Sequence, residues 1–103
     1  MRVPIACSLT AAAADDRIEE WRRFLAASVD AAERTSTQQL RMHLTSTTVL
    51  AAAADLARRE KTCCAFFEFS IAIEADALWL TVRVPAEASL VLDDLARLLP
   101  TAP

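Results

Sequence analysis

Glycine and tyrosine are both absent from this 103-residue chain, and lysine occurs once, at Lys61. Without glycine, the chain cannot form the glycine-rich loop that wraps phosphate groups in many nucleotide-binding proteins. Its turns must instead be made by Asp, Ser, Thr and Pro, which lack glycine's tolerance of positive φ. The missing residues therefore exclude the common phosphate-binding loops and restrict the geometry of every turn.

Long hydrophobic runs are also missing, because charged residues interrupt every apolar stretch. A membrane-spanning helix needs about 20 consecutive apolar residues, which no part of this sequence supplies. The opening residues, MRVPIACSLT, have one Arg and an apolar stretch shorter than the roughly 7–15 residues in the core of a signal peptide. We expect a soluble, cytoplasmic protein with no membrane partner.

The net charge disfavours a nucleic-acid partner. The net charge is −3 and the sequence pI is about 5.0, whereas a general nucleic-acid binder needs a basic face to neutralise phosphates. No G-x-S-x-G or H-E-x-x-H motif occurs. We therefore expect no direct nucleic-acid binding, and the sequence disfavours an enzyme.

Hydrophobic periodicity predicts the first half of the fold. Strict alternation predicts a short strand at 3–9, and apolar residues at three- and four-residue intervals predict a helix at about 11–33. The alternating residues of the strand are Val3, Ile5, Cys7 and Leu9, and the helical stripe is Ile18, Trp21, Leu25, Val29 and Ala32. A second strand is predicted around Leu40, Met42 and Leu44.

The second half continues with a helix, a hairpin and a last helix. The second helix should begin near Ser46 or Thr47, and its apolar stripe extends to Glu60, Cys63 and Cys64 at the helix end. Two alternating segments separated by EADA predict an antiparallel hairpin, and AEASLVLDDLARLL predicts a helix that stops at Pro100.

These elements predict one α/β domain over 1–103, a two-layer sandwich in the order β-α-β-α-β-β-α. A size of 103 residues suits a single core. Four strands with one apolar face, covered on that face by three amphipathic helices, form the simplest arrangement. The open face of the sheet should carry Arg41, His43, Glu68, Trp79 and Arg83.

Three cysteines, two of them adjacent, do not resemble a secreted disulfide framework. Thiolates prefer soft ions, and three of them suit a trigonal ion such as Hg(II) or As(III) better than tetrahedral structural zinc. Two other interpretations stay open. The cysteines are either small buried core residues of a non-catalytic dimerisation or interaction module, or redox thiols that form a reversible disulfide between Cys7 and one member of the pair.

Three further residues are candidates for the site or its surroundings. Glu60 precedes the cysteines by three and four positions and is expected to be a solvated charge, a partner of a neighbouring Arg or an oxygen ligand. His43 shares the polar side of its strand with Arg41, which predicts a surface histidine and not a fourth ligand. Trp79 on the same face predicts either a contact with a partner or a residue covered by the chain end.

Several segments together resemble a small actinobacterial domain found beside MerR-type metal-responsive regulators, or fused behind them. The resemblance covers about residues 5 to 99 and rests on ACSLT, EEWRRFL, LRMHL and LARREKTCCAFFEFSIAIEADALWLTVRVP. Its most specific part is the pattern E-x-x-C-C-x-F-F-x-F, which is matched by Glu60, Cys63, Cys64, Phe66, Phe67 and Phe69. Cys7 matches an early C-[ST]-L element.

The resemblance implies that Cys7, Cys63 and Cys64 bind a soft metal or metalloid ion, with Glu60 as an auxiliary group. It also implies an accessory or sensing role in metal resistance, with a MerR-type regulator as partner. A homodimer is a separate expectation, because Trp79 on the outer face is a candidate dimer contact. This sequence has no helix-turn-helix segment of the kind that accompanies the fused forms, and its hairpin turn, EADA, has no glycine where such domains usually have one.

Overall fold

A computed structural model of the protein describes residues 11–99, with side chains described from residue 15 onward. Residues 11–99 contain three α-helices and four β-strands. In chain order these are α1 (Ala11–Ser28), β1 (Val29–Ser36), β2 (Gln39–Leu44), α2 (Leu50–Cys63), β3 (Glu68–Ile73), β4 (Leu78–Arg83) and α3 (Ser89–Arg97). Short 3₁₀ turns at Thr47–Val49 and Ala86–Ala88 lead into α2 and α3.

The four strands form one antiparallel sheet in the order β1-β2-β4-β3. Its inner face is built by β2 and β4, on which Leu40, Met42, Leu80 and Val82 are almost completely buried. The helices cover this face, and their apolar residues join the same core. The predicted two-layer α/β sandwich is therefore confirmed.

The first predicted helix is wrong at its C-terminal end. It ends at Ser28 and not near residue 33, and the chain continues directly into β1. Val29 and Ala32 fit a helical stripe, but β1 has only Val29 buried, so no apolar alternation marks the strand in the sequence. Pairing with β2, from Val29 opposite Leu44 to Ser36 opposite Gln39, decides the conformation instead.

The first predicted strand, at 3–9, lies outside the described residues, as does Cys7. From α1 onward, the elements follow the predicted order with β1 added. The second helical segment begins as expected after Ser46, with the 3₁₀ turn Thr47–Val49 that leads into α2 at Leu50. The Ser46 hydroxyl accepts a hydrogen bond from the amide of Thr48.

The predicted hairpin of β3 and β4 is confirmed, with Phe69 opposite Val82 and Ile73 opposite Leu78. The EADA turn closes through a hydrogen bond from the Glu74 amide to the Ala77 carbonyl, at 2.8 Å. No residue from 11 to 99 has positive φ, so this turn is made without the conformation that favours glycine.

Within the described part of the chain, no helix has both the length and the apolar character needed to cross a membrane.

Candidate functional site

The two adjacent cysteines lie where α2 ends beneath the sheet, as the sequence predicted. Cys63 is the last residue of α2, and Cys64 follows as its C-terminal cap. The Cys64 amide donates to the Glu60 carbonyl at 2.7 Å, and its carbonyl accepts from the Phe67 amide at 3.2 Å. Cys63 is half-buried and Cys64 is buried, so both sulfur atoms belong to the boundary between the core and the surface.

Cys64 is bonded to another cysteine in a disulfide. Two cysteine sulfur atoms therefore meet at the end of α2. Cys7, one of the three predicted thiolate ligands, lies outside the described residues, so its predicted position beside this pair stays a prediction.

Glu60 is buried, with 6% of its surface exposed, so the expectation of a solvated charge at the helix end is wrong. Its carboxylate oxygen Oε1 accepts a hydrogen bond from the Trp21 indole nitrogen at 2.9 Å and another from Arg17 Nη1 at 3.1 Å. A buried carboxylate is stable only when such donors and a counter-charge replace water. Glu60 does pair with an Arg, but with Arg17 of α1 and not with a neighbouring Arg of its own helix as predicted.

Arg17 joins this carboxylate to the cysteines. Its guanidinium Nη2 lies 3.9 Å from the Cys63 sulfur, and its Nε lies 3.6 Å from Glu20 Oε1. Its side chain is only 13% exposed. The sequence reasoning missed Arg17, although its spacing of four residues before Trp21 places both side chains on one side of α1.

Aromatic rings surround the cluster of Arg17, Trp21, Glu60 and Cys63. Trp21 stacks on Phe69 with the ring centroids 6.0 Å apart and the planes 14° apart. Phe67 contacts Phe69 at 5.4 Å and Phe66 at 4.6 Å. Trp21 and Phe67 are buried, and Phe66 and Phe69 are half-buried against the core, so all four rings pack as part of the core.

A second layer of ion pairs connects α1 to α2 beside this cluster. Arg59 donates to both carboxylate oxygens of Glu20 and to Asp55 Oδ2, the last at 2.9 Å. The hydrogen bond from Arg59 holds the pKa of Glu20 below its usual value, and hydrogen bonds from Arg58 and Arg59 lower the pKa of Asp55. The same carboxylates raise the pKa of Arg59. These bonds fix the two helices whose side chains form the cluster.

His43 lies on the opposite, open face of the sheet, as predicted. Its Nδ1 lies 2.6 Å from Asp30 Oδ1, and its ring contacts Trp79 edge to face at 5.0 Å. The guanidinium of Arg41 covers Trp79, with its carbon 3.6 Å from the ring centroid. Trp79 is half-buried beneath these neighbours.

Chemically, the end of α2 combines soft sulfur donors with a buried carboxylate whose charge is balanced by a guanidinium. Among residues 11–99, no group of three or more His, Cys, Asp or Glu side chains is placed to hold a metal ion. The predicted set includes Cys7, which is outside that range. Glu60 is held by Trp21 and Arg17 through one oxygen, which suits a positioning role better than direct ligation.

Comparison with protein-family models, curated proteins and solved structures gives no match to this chain.

Proposed function

We propose that this protein binds a soft metal or metalloid ion of the Hg(II) or As(III) kind through the thiolates of Cys7, Cys63 and Cys64. The observation that carries the proposal is the disulfide at Cys64. A disulfide brings two sulfur atoms within bonding distance, so after reduction two thiols start close enough to share one ion. Cys63 directly precedes Cys64 in the chain, and we propose that its sulfur belongs to the same ligand set.

The geometry of Glu60 favours a ligand set made of sulfur alone. Its Oε1 accepts bonds from Trp21 and Arg17, and moving it toward an ion would leave a buried indole donor and a buried guanidinium without that acceptor. Three thiolates suit a trigonal ion, whereas structural zinc usually takes four ligands. We therefore assign Glu60 to positioning and expect weaker binding of Zn(II).

The protein would act by capture and not by turnover. The proposed location is the cytoplasm, where thiols are kept reduced. From the resemblance of the E-x-x-C-C-x-F-F-x-F segment, we propose a MerR-type regulator as the partner in metal resistance. We propose a homodimer as the assembly because Trp79 lies on the open face of the sheet.

The test is an anaerobic titration of fully reduced protein with Hg(II), As(III) and Zn(II), with absorption followed in the region of thiolate-to-metal charge transfer. We expect one soft ion per chain, released protons and weaker Zn(II) binding. The variants Cys7→Ser, Cys63→Ser and Cys64→Ser should each weaken binding. His43→Ala is the matched control, because it removes a strong metal ligand from the other face of the sheet. Normal affinity in both Cys63→Ser and Cys64→Ser would exclude the proposal.

The disulfide also favours a second candidate function, a thiol redox protein. In that case the Cys64 disulfide accepts two electrons and two protons from a dithiol reductant and becomes two thiols. Equilibration with defined ratios of reduced and oxidised glutathione would give its potential. A disulfide that stays intact against a reducing glutathione pool is structural, whereas one that equilibrates within the cytosolic range supports redox function.

A further inference from the structure

The two edge strands of the described sheet differ in how they are protected against pairing. At one edge, β1 has two register shifts against β2. Bulges, proline and inward-pointing charge are the usual means by which a sheet edge avoids pairing. At the other edge, β3 pairs with β4 in continuous register from Glu68 to Ile73, a segment with no proline and no charged residue on its inner face. Of the two edges, the outer side of β3 is therefore the one suited to a further strand.

The hairpin turn shows which backbone groups of β3 point away from β4. The Glu74 amide donates to the Ala77 carbonyl at 2.8 Å, so these two residues form a hydrogen-bonded pair. Along two antiparallel strands, such pairs alternate with pairs whose amides and carbonyls point outward. Counting back from the turn, the outward groups of β3 belong to residues 69, 71 and 73.

The same three residues, Phe69, Ile71 and Ile73, carry the apolar side chains of β3. They lie on the face of the sheet that the helices cover, because their partners on β4 are buried. Even so, Ile71 is 37% exposed and Ile73 is 69% exposed. Beside them, α2 and β3 border an open groove of about 670 Å³, whose lining includes Ala57, Phe69 and Ile71. A strand paired here would cover apolar surface and also bond the outward backbone groups.

We propose that a second copy of this chain pairs with the outer edge of β3, antiparallel and centred on Ile71. A two-fold axis at this residue places Ile71 opposite its own counterpart and Phe69 opposite Ile73 of the second copy. Each facing pair exchanges two backbone hydrogen bonds, made by the outward groups of residues 69, 71 and 73. Only this centre pairs all three apolar residues with one another. The apolar stripe then continues across the junction, and the two sheets join into one.

Charge favours the same arrangement. The pairing brings the acidic turn of the second copy, residues 74–76, alongside residues 66–68. Lys61 lies at this end of β3, because its Nζ donates to the Ala65 carbonyl at 2.7 Å. Arg58 also lines the groove there. The acidic turn of each copy therefore lies near basic side chains of the other, which disfavours a partner with a basic turn.

One like-charge contact opposes the pairing. Glu68 would lie opposite Glu74 of the second copy, and directly opposed like charges destabilise a strand pair. Arg83, with Nη1 3.6 Å from Glu68 Oε1, offsets this repulsion. The contact is also small, so we expect a reversible equilibrium between monomer and dimer. The inference goes beyond the proposed function, since it neither needs a bound ion nor uses Trp79 on the open face.

The test is amide hydrogen exchange of the full, metal-free chain under one fixed redox condition, at increasing protein concentration. The amides of residues 69, 71 and 73 should exchange more slowly as the concentration rises. The amides of residues 68, 70 and 72 bond to β4 within one chain, so their protection should stay the same. Sedimentation equilibrium gives the dissociation constant of the dimer.

Two variants change the edge while leaving the single chain folded. Ile71→Pro removes one donor from each copy, and proline is accepted in an edge strand where its nitrogen points away from the neighbour. We expect it to raise the dissociation constant at least about tenfold. Ile73→Lys puts a charge on the apolar stripe at an exposed position and should also weaken the dimer. Leu90→Lys is the matched control, because Leu90 is 52% exposed on α3, and it should leave the dimer unchanged.

Exchange of the outward amides that does not change up to about 1 mM protein would overturn the inference. Fast exchange would then mean that nothing pairs with this edge, and slow exchange that another segment of the same chain covers it. A dimer that Trp79→Ala dissociates and Ile71→Pro does not would lie on the open face, which also overturns the inference. Circular dichroism checks the fold of each variant. Ion titration is a separate measurement, so the proposed function can fail while this pairing holds.

Discussion

Glu60→Gln should destabilise the fold because it removes the negative charge that faces a mostly buried guanidinium. Gln keeps the shape of the side chain and can still accept the bond from Trp21, so the change isolates the charge. Removing one partner of a buried ion pair costs about 3–5 kcal/mol. Arg17 keeps 13% exposure and has Glu20 at 3.6 Å as a second partner. We therefore expect a loss of about 1.5–3 kcal/mol in the free energy of unfolding.

The measurement is urea unfolding under one fixed redox condition, followed by circular dichroism. Glu19→Gln is the matched control, because Glu19 pairs with Arg22 on the exposed side of the same helix and its side chain is 47% exposed. That control should change the unfolding free energy by less than about 0.5 kcal/mol. An equally small change in Glu60→Gln would refute the assignment of a buried, charge-dependent contact.

A double variant tests whether Glu60 and Arg17 stabilise the fold through each other or through other neighbours. Glu60→Leu combined with Arg17→Met replaces both charges with apolar groups of similar size, which is often neutral or stabilising where a buried pair existed. The double variant should therefore be more stable than Glu60→Leu alone. Strict additivity of the two single changes would show that the two side chains do not interact.

Two further predictions concern the helix contacts and the core. The pKa of Glu20 is lowered from 4.5 in the folded state by Arg59, so the stability from this pair is fully present above about pH 4.5 and is lost as the pH falls through the lower folded value. Unfolding measured against pH should show a shallower acid loss in Glu20→Gln, and an unchanged slope would contradict it. Leu80→Ala should cost about 2–5 kcal/mol in urea unfolding, because Leu80 is fully buried on the central strand β4. The control Leu90→Ala, at a 52% exposed position, should cost less than about 1 kcal/mol, and equal losses would contradict the assigned core.

The parts of the fold that the sequence predicts are those in which one face is buried and the other is open. β2 and β4 alternate between buried and half-buried residues, so Leu40, Met42 and Leu80 mark their inner face unambiguously. β1 has no such signal, since every residue after Val29 is exposed. Its conformation is set by pairing across the sheet with β2, a long-range contact that local periodicity does not contain.

The candidate site also has one feature that the sequence predicts and one that it does not. The apolar stripe of α2 predicts that Cys63 and Cys64 lie where the buried face meets the helix end, because that position depends on helical geometry alone. The burial of Glu60 does not follow from its own helix, where a charge near the terminus is usually solvated. It depends on Trp21 and Arg17, which come from another helix 39 and 43 residues earlier in the chain.

The buried ion pair of Glu60 and Arg17 changes the electrostatic environment at the C-terminal end of α2. A helix C-terminus carries partial negative charge, which opposes negative charge on nearby sulfur, and an unpaired Glu60 would add to that opposition. Arg17 neutralises the carboxylate and also places a guanidinium nitrogen beside Cys63. The cluster therefore places a positive group beside Cys63 at the end of α2, while the ring of Phe69 packs against Trp21 at its side.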